Sequence, residues 1–254
     1  MENEGSVQLT GKHFAVDINV PTRAALMDEV SQRFVAREGF ALATINLDHV
    51  TKLESEESFR AAYAAQDLVV ADGNPIVWTS RLAGQPVELM PGSELVMPLA
   101  RLASEMGVSV ALIGSSDVSL AAAAKALKEA VPGLEIAYIH APAYGFDPTG
   151  EAARMILQDL NESSVQLAFL ALGAPKQESF AALGRTLAPQ VGFASIGAGL
   201  DFLSGTQVRA PKWVRQIAME WFWRMASNPR RLFKRYALCA LVLPGIALRA
   251  YRSR

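Results

Sequence analysis

Residues 166–187 read QLAFLALGAPKQESFAALGRTL and decide the fold class of this chain. Gln166–Leu172 is a short apolar run that predicts a buried strand, since strands covered on both faces carry few polar side chains. A turn with glycine and proline follows it. Lys176–Leu187 then has the composition of a helix. A strand, a turn and a helix in this order form the repeating unit of a parallel α/β sheet.

The same unit recurs along the chain, which predicts an open Rossmann-like α/β domain over residues 1–205, with a mostly parallel sheet flanked by helices. The other predicted strands are Ala41–Leu47, Leu68–Ala71, Ser109–Ile113, Glu135–His140 and Gly192–Ile196. The predicted helices between them are Arg23–Arg37, Ser55–Ala65, Ser93–Met106, Ser116–Ala130 and Glu151–Leu160.

After Gly205 the character of the chain changes, and residues 206–254 are predicted to form a basic, aromatic-rich helical appendage. Lys212–Ala226 has the spacing of an amphipathic helix, and a second helix is expected after Pro229. From residue 202 onward eleven basic residues face one acid, Glu220, for a net charge of +10. The whole chain is −1, so its first 201 residues carry −11. This asymmetry predicts a tail that meets an anionic partner.

An anionic membrane surface fits this tail best, because its tryptophans and phenylalanines alternate with arginines. The alternative is a helix packed on the domain or on another subunit, and nucleic acid fits less well because so much of the tail is apolar. The longest apolar run, Ala237–Leu248, is too short to cross a bilayer and contains Pro244. With a polar first segment and one cysteine, Cys239, these features predict a cytoplasmic protein, peripheral on the inner face of the membrane.

Ligands of open parallel sheets bind beyond the carboxyl ends of the strands. Small or polar residues stand at five such ends, where glycines and helix N-termini favour a phosphate-bearing ligand. These five segments are 44–49 (TINLDH), 71–75 (ADGNP), 114–116 (GSS), 173–178 (GAPKQE) and 197–201 (GAGLD).

Asp72 is the predicted general base, because it ends an apolar strand with Gly73 leaving room beside it. The alternative is a turn or helix N-cap aspartate. Thr44 and Asn46 could bind sugar hydroxyls or satisfy the end of a strand. Lys176 and Gln177 could bind phosphate and sugar or base, or form a polar first helical turn. His49 is expected to be a packed or capping residue.

No metal site and no cofactor are predicted. The three histidines are scattered, and the sequence has no Asp-x-Asp pair of the kind that grips a divalent cation on a diphosphate. A nicotinamide-dependent dehydrogenase would need Gly-x-Gly-x-x-Gly after the first strand. The only Gly-x-Gly, at Gly197–Gly199, stands late in the chain with Phe202 at the third position, which argues against that class.

From about Val16 to Tyr236 the chain resembles the WecG/TagA/CpsF family of bacterial glycosyltransferases. The resemblance lies in a series of motifs in a fixed order, of which Gly-Ala-Pro-Lys-Gln-Glu and Arg-Ala-Pro…Glu-Trp are the most specific. The matching segments lie at residues 44–50 (TINLDHV), 71–77 (ADGNPIV), 91–95 (PGSEL), 112–114 (LIG), 172–178 (LGAPKQE), 196–198 (IGA), 201, 209–213 (RAPKW), 220–224 (EWFWR) and 229–231 (PRR).

This resemblance implies an inverting, metal-independent transferase that moves a sugar from a UDP-sugar to a polyprenyl-diphosphate-linked acceptor in cell-surface or exopolysaccharide synthesis. Donors in the family are of the N-acetylmannosamine, glucose or glucuronate type. The resemblance assigns catalysis to Asp72 and Thr44. Donor binding is expected from Asn46, Asp48, Gly73, Gly114, Gly173, Lys176, Gln177, Gly197 and Asp201. The acceptor or its diphosphate is expected to meet Arg209, Arg224 and Arg231.

One departure concerns the residues just before the Pro-Gly-Ser-Glu-Leu segment. Many family members have Arg-Val where this chain has Leu89-Met90. If that arginine helps to hold the donor or the leaving diphosphate, another cation must replace it here, or the donor differs. The donor sugar, acceptor sugar, linkage and oligomeric state stay open at this point. A non-catalytic membrane-bound partner of a polysaccharide synthesis complex is the alternative function.

Overall fold

A single six-stranded parallel sheet forms the centre of the molecule, and a two-stranded antiparallel hairpin lies beside it. The computed structural model describes residues 6–207, 210, 211, 214, 219, 222, 223, 225 and 229–254. The described strands are β1 (Val7–Thr10), β2 (Ala15–Ile18), β3 (Phe40–Ile45), β4 (Leu68–Ala71), β5 (Val110–Gly114), β6 (Ile136–His140), β7 (Leu167–Ala171) and β8 (Gly192–Ser195).

Helices follow most of the strands, as the α/β pattern requires. Those described are α1 (Arg23–Ala36), α2 (Leu47–Ser55), α3 (Glu57–Ala64), α4 (Asn74–Leu82), α5 (Gly92–Glu105), α6 (Asp117–Ala130), α7 (Glu151–Glu162), α8 (Lys176–Leu187), α9 (Gly199–Leu203) and α10 (Pro229–Arg252). The predicted class, a mostly parallel sheet flanked by helices, is confirmed, and all six predicted strands are present.

The strand order in the sheet is β4-β3-β8-β7-β5-β6, with every neighbouring pair parallel. β5 continues toward β6 at one edge, whereas β7, beside it, continues toward β8 in the opposite direction. The chain therefore changes direction between β5 and β7. In open α/β sheets ligands bind outside such a switch point, at the carboxyl ends of the strands.

Successive strand residues point to opposite faces of the sheet, so each face has its own core layer. Leu42 of β3 packs with α1, α5, α6 and α9 on one face. Its neighbours Ala41 and Ala43 pack on the other face, where α7 and α8 cover one half and α2, α3, α4 and α10 the other. Burial on both faces explains why these strands are continuously apolar.

The hairpin β1–β2 and helices α2, α4 and α9 are not among the predicted elements. The hairpin β1–β2 pairs Val7 with Ile18 at one end and Thr10 with Ala15 at the other. Helix α2 begins at Leu47, so Asp48 and His49 lie inside a helix, and the predicted strand Ala41–Leu47 ends two residues earlier than expected, at Ile45. The reason is local: Asn46 ends the strand and caps α2, because its side chain accepts a hydrogen bond from the backbone of His49 at 3.1 Å.

Helix α10 extends the predicted second tail helix and continues through Pro244 to Arg252. Its buried residues Ile246 and Ala250 join the core layer that contains β1 and α4. This helix therefore packs on the α/β body, while the division of the chain at residue 205 stays a prediction. Among the described residues, no helix is both long and apolar enough to span a membrane.

Candidate functional site

Asp72 and Asn46 meet at the carboxyl ends of the neighbouring strands β4 and β3. The backbone N–H of Asp72 donates to the carbonyl of Ile45 at 2.7 Å, and the Nδ2 of Asn46 donates to Oδ2 of Asp72 at 3.4 Å. Gly73, with φ +104°, occupies the position before α4. Asp72 is therefore not a helix N-cap, and its partly exposed carboxylate is held from one side by an amide.

Thr44 lies in β3, two residues before Asn46, and its side chain is buried. Its Oγ1 donates to the carbonyl of Ser195 at 3.3 Å, which joins the end of β3 to the end of β8. This geometry matches the alternative in which Thr44 satisfies the end of a strand. A catalytic role for Thr44 stays a prediction.

The β7 and β8 loops are joined in the same way through Gln177. Its Oε1 accepts the backbone N–H of Gly197 at 3.2 Å, and its Nε2 donates to Oε1 of Glu178 at 2.8 Å. The Gln177 side chain is thus buried and occupied at both ends, so donor binding here would involve the loops that it holds. Lys176, the first residue of α8, is partly exposed at this edge.

The switch point between β5 and β7 is crowded by backbone. A Cβ at Gly114 would lie 2.4 Å from the carbonyl carbon of Ala171, so only glycine allows this approach. Beyond it, Asp201 of α9 accepts hydrogen bonds from the hydroxyls of Ser115 and Ser119 through Oδ1 and from Gln207 through Oδ2. Asp201 therefore ties α9 to the β5 loop, a role that its position in the sequence did not reveal.

The loops at four neighbouring strand ends consequently form one row. Asp72 contacts Asn46, the strand of Asn46 is joined to β8 through Thr44, and the β8 loop is joined to α8 through Gln177. The Asp72 and Gln177 loops therefore lie on the same edge of the sheet, as expected. Most residues of these loops are partly exposed, which leaves the edge accessible to a ligand.

Two hollows in the described structure lie away from this edge. One, of about 420 Å³, lies between the β1–β2 hairpin and α3, with His13, Arg60 and Tyr63 among its walls. The other, of about 290 Å³, lies before the amino ends of β5 and β7. Neither hollow is lined by Asp72, Asn46 or Gln177.

His49 is packed, as expected, beneath this edge. Its Nδ1 lies 2.7 Å from the hydroxyl of Tyr63, and its ring packs edge-on against Phe59 and Tyr63. Burial lowers the pKa of His49 to about 3, so the ring is neutral. The 3.8 Å approach of its Nε2 to Glu178 is therefore not an ion pair at neutral pH.

Asp48 connects the site to the C-terminal helix. Its carboxylate pairs with Lys52 one turn along α2, and its Oδ1 lies 3.8 Å from Nε of Arg235 in α10. Asp48 is therefore engaged by two cations, so binding a donor would require it to exchange one of them. Donor binding by Asp48 stays a prediction.

Three arginines, Arg209, Arg224 and Arg231, are the predicted acceptor-binding residues. Arg209 and Arg224 lie outside the described residues, and so does the side chain of Arg231. Among the described residues, no three histidine, cysteine, aspartate or glutamate side chains gather in an arrangement suited to a metal ion. At the Leu89-Met90 departure, Met90 is fully buried and its N–H donates to Ala71, while Leu89 is exposed.

We expect an Asn46→Ala variant to lose both stability and activity. Removal of an N-cap side chain costs about 1 kcal/mol, and the same change releases the carboxylate of Asp72. Thermal unfolding should show the stability loss, and kcat should fall by about tenfold. An Asn46→Asp variant is the control: it restores the cap but places a second carboxylate beside Asp72, so stability should recover while activity should not.

Comparison with known proteins adds two kinds of similarity. The family model described as Glycosyl transferase WecG/TagA/CpsF family matches residues 12–254. A protein of Bacillus spizizenii named N-acetylglucosaminyldiphosphoundecaprenol N-acetyl-beta-D-mannosaminyltransferase is 28% identical over 196 residues. The matched region covers 76% of this chain and 74% of the length of that protein. A protein of Bacillus subtilis with the same name is 23% identical over 209 residues, which cover 82% of this chain and 79% of the length of that protein.

Proposed function

We propose that this chain, which belongs to the glycosyl transferase WecG/TagA/CpsF family, transfers N-acetylmannosamine from its UDP-sugar to N-acetylglucosaminyl-diphospho-undecaprenol. Membership of the family makes the chain a glycosyltransferase, which disfavours a non-catalytic partner. The names of the two relatives support this acceptor and this sugar. Such a reaction serves cell-envelope polysaccharide synthesis.

The observation that carries the proposal is the placement of Asp72. Its carboxylate lies at the carboxyl edge of the sheet, is partly exposed and is held by Asn46. In the same row stand the glycine loop at Gly197 and the first turn of α8, which suit a diphosphate. A base and a phosphate-binding edge side by side are what transfer from a nucleotide-sugar requires.

In the proposed reaction Asp72 takes the proton from the attacking hydroxyl of the acceptor sugar. The hydroxyl oxygen forms a bond to the anomeric carbon while the bond from that carbon to the UDP oxygen breaks, and its electron pair leaves with UDP. Attack from the face opposite UDP inverts the anomeric configuration. Asn46 holds the carboxylate in place for this step, since its Nδ2 donates to one carboxylate oxygen.

The charge that develops on UDP needs positive groups. The start of α8 supplies the positive end of the helix dipole and the side chain of Lys176, and the tail arginines Arg209, Arg224 and Arg231 are proposed to add to it. Many family members have an arginine where this chain has Leu89, and Arg23 is a candidate to supply that positive charge. Its guanidinium lies 3.6 Å from Glu94, in the Pro-Gly-Ser-Glu-Leu segment.

We also propose that the protein works peripherally on the inner membrane face, where its lipid-linked acceptor is held. Helix α10 supports this proposal because large apolar side chains lie exposed on the side opposite its buried residues. Those exposed are Phe233, Leu241, Leu248 and Tyr251, with Arg230 and Lys234 beside them. An apolar stripe flanked by cations fits an anionic lipid surface.

A donor screen tests the proposed function directly. The full chain is mixed with N-acetylglucosaminyl-diphospho-undecaprenol in vesicles and with one UDP-sugar at a time, and release of UDP is measured. We expect release with UDP-N-acetylmannosamine, and little with UDP-glucose or UDP-glucuronate. Release with one of those two alone would replace the donor in the proposal, and no release with any donor would contradict the proposed reaction.

We expect the reaction to proceed without a divalent cation, because the sequence lacks an Asp-x-Asp pair and cationic side chains are proposed for the leaving group. The rate in EDTA should stay within about twofold of the rate in Mg²⁺, whereas an enzyme that holds its diphosphate through a metal would lose nearly all activity. Loss of activity in EDTA with recovery on adding Mg²⁺ would show that a cation takes part.

A further inference from the structure

The carboxyl group of Glu178 is fully buried at the start of α8, directly behind the row of loops. Its Oε1 accepts a hydrogen bond from Nε2 of Gln177 at 2.8 Å. The other end of the Gln177 amide accepts the N–H of Gly197 at 3.2 Å. Carboxylate, amide and glycine backbone therefore form a continuous chain from the core to the edge of the site.

The groups that face Glu178 leave its charge poorly compensated. Neutral His49 lies beyond hydrogen-bond distance, Tyr63 is engaged with His49, and Lys52 acts from a distance together with Asp48, whose charge opposes it. Among the residues that the structure describes, Oε2 of Glu178 has no hydrogen-bond partner. Burial raises the pKa of the Glu178 carboxyl to about 7, against the lowering effects of the Gln177 hydrogen bond and of a hydrogen bond from the backbone N–H of Glu178 itself.

A buried carboxyl with so few partners is costly, so its retention at this point calls for a role. We propose that Glu178 is a positioning residue that fixes the orientation of the Gln177 amide and thereby holds the Gly197 loop in the shape that binds the donor diphosphate. This inference rests on the proposed function, because it assigns the Gly197 loop to the UDP-sugar.

The physical basis is the direction of the amide. A carboxylate only accepts hydrogen bonds, so it requires the NH₂ end of Gln177 and leaves the amide oxygen for Gly197. A protonated carboxyl can also donate, so it tolerates either end of the amide. In the reversed orientation the NH₂ group of Gln177 would face the N–H of Gly197, donor against donor, and the loop would lose its anchor.

The first measurement needs no ligand. Hydrogen exchange of the Gly197 amide in the full chain, expressed as a protection factor, should fall by about fivefold or more as the pH drops from 8 to 5.5. A Glu178→Gln variant should show low protection at every pH, since its side chain is never ionised. Glu151→Gln is the matched control, because it neutralises an exposed glutamate in the first turn of α7.

The second measurement is binding of UDP-N-acetylmannosamine by calorimetry at the same pH values. Its diphosphate does not titrate in this range, so a pH effect reports on the protein. For the wild-type chain we expect Kd to rise about three- to tenfold from pH 8 to 5.5, and for Glu178→Gln a Kd at all pH values equal to the wild-type low-pH value. Glu151→Gln should behave as wild type.

The outcomes separate this inference from the proposed function. If UDP-N-acetylmannosamine binds the wild type and Glu178→Gln equally well, and Gly197 protection is the same in both, the positioning role is overturned while the donor assignment stands. If the wild type does not bind this donor at all, the assignment of the Gly197 loop is overturned with it. Matched losses of protection and affinity in Glu178→Gln alone support the inference.

Discussion

The Asp72→Asn variant is expected to lose about 1,000-fold in kcat, because a general base typically contributes between about 100- and 10,000-fold and an amide cannot take a proton at neutral pH. The amide has the same shape as the carboxylate, and its oxygen can still accept the hydrogen bond from Asn46. Donor Kd and thermal stability should therefore change little. UDP release with lipid-linked acceptor measures turnover, and calorimetry measures donor binding.

Asp28→Asn is the matched control for this variant. Asp28 lies on the exposed side of α1, so the change removes the same charge at a distance from the carboxyl edge of the sheet. Its kcat should match wild type. If Asp72→Asn keeps its turnover, Asp72 is not the base; if it loses donor binding as well, the carboxylate acts in binding and the mechanism must be revised.

The strands of the central sheet could be predicted because strands that are buried on both faces appear in the sequence as continuous apolar runs. Leu68–Ala71 is a run of four apolar residues that ends at Asp72, and the structure gives this strand the same bounds. The order of the strands could not be predicted in this way. The placement of β8 between β3 and β7 depends on contacts between residues far apart in the chain, and no local pattern records them.

Helix α2 and the hairpin escaped prediction for different reasons. The hairpin strands have only four residues each, and alternate side chains face solvent. In β1 only Val7 and Leu9 point inward, which is too short an alternation to predict a strand. Helix α2 did have a signal: Asn46 followed by Asp48 is a cap with an acid in the first helical turn. Polar residues after a strand are also typical of a turn, so this signal alone does not distinguish a turn from a helix.

The site shows the same division. Polar residues at strand ends predicted where Asp72 and Gln177 lie, because the carboxyl ends of parallel strands share one edge. The direction of each side chain could be read only from the structure. Gln177 points inward and donates a hydrogen bond to Glu178, and Asp201 accepts hydrogen bonds from Ser115 and Ser119. The involvement of Glu178 had no separate signal in the sequence, since acids in a first helical turn are common and usually exposed.

The tail can be tested without deleting it. A chain cut after Gly205 would lose Ile246 and Ala250, which are buried with β1 and α4, so loss of activity could reflect damage to the body of the protein. Single residues on the other side of α10 avoid this problem. Phe233 and Leu241 are 67% and 77% exposed, which means that changing them leaves the core intact.

A Phe233→Glu, Leu241→Glu double variant is expected to bind vesicles that contain phosphatidylglycerol at least about 100-fold more weakly than wild type. Each large apolar side chain contributes roughly 1.5–3 kcal/mol when it enters an apolar phase, and each new carboxylate repels the anionic surface. Vesicle cosedimentation measures the loss. Turnover should fall with acceptor in vesicles, while UDP-sugar binding in solution should be unchanged.

The control for this experiment is a Val35→Glu, Val118→Glu double variant, which adds the same two charges at apolar positions on α1 and α6. Both valines are 76% exposed, close to the exposure of Phe233 and Leu241, so the two variants differ in where the charges lie. We expect the control to bind vesicles as tightly as wild type. That result would show that two added charges alone do not release the protein. Equal binding by all three proteins would instead mean that the apolar stripe on α10 faces another protein, and that the basic residues bring the enzyme to its lipid-linked acceptor by some other surface.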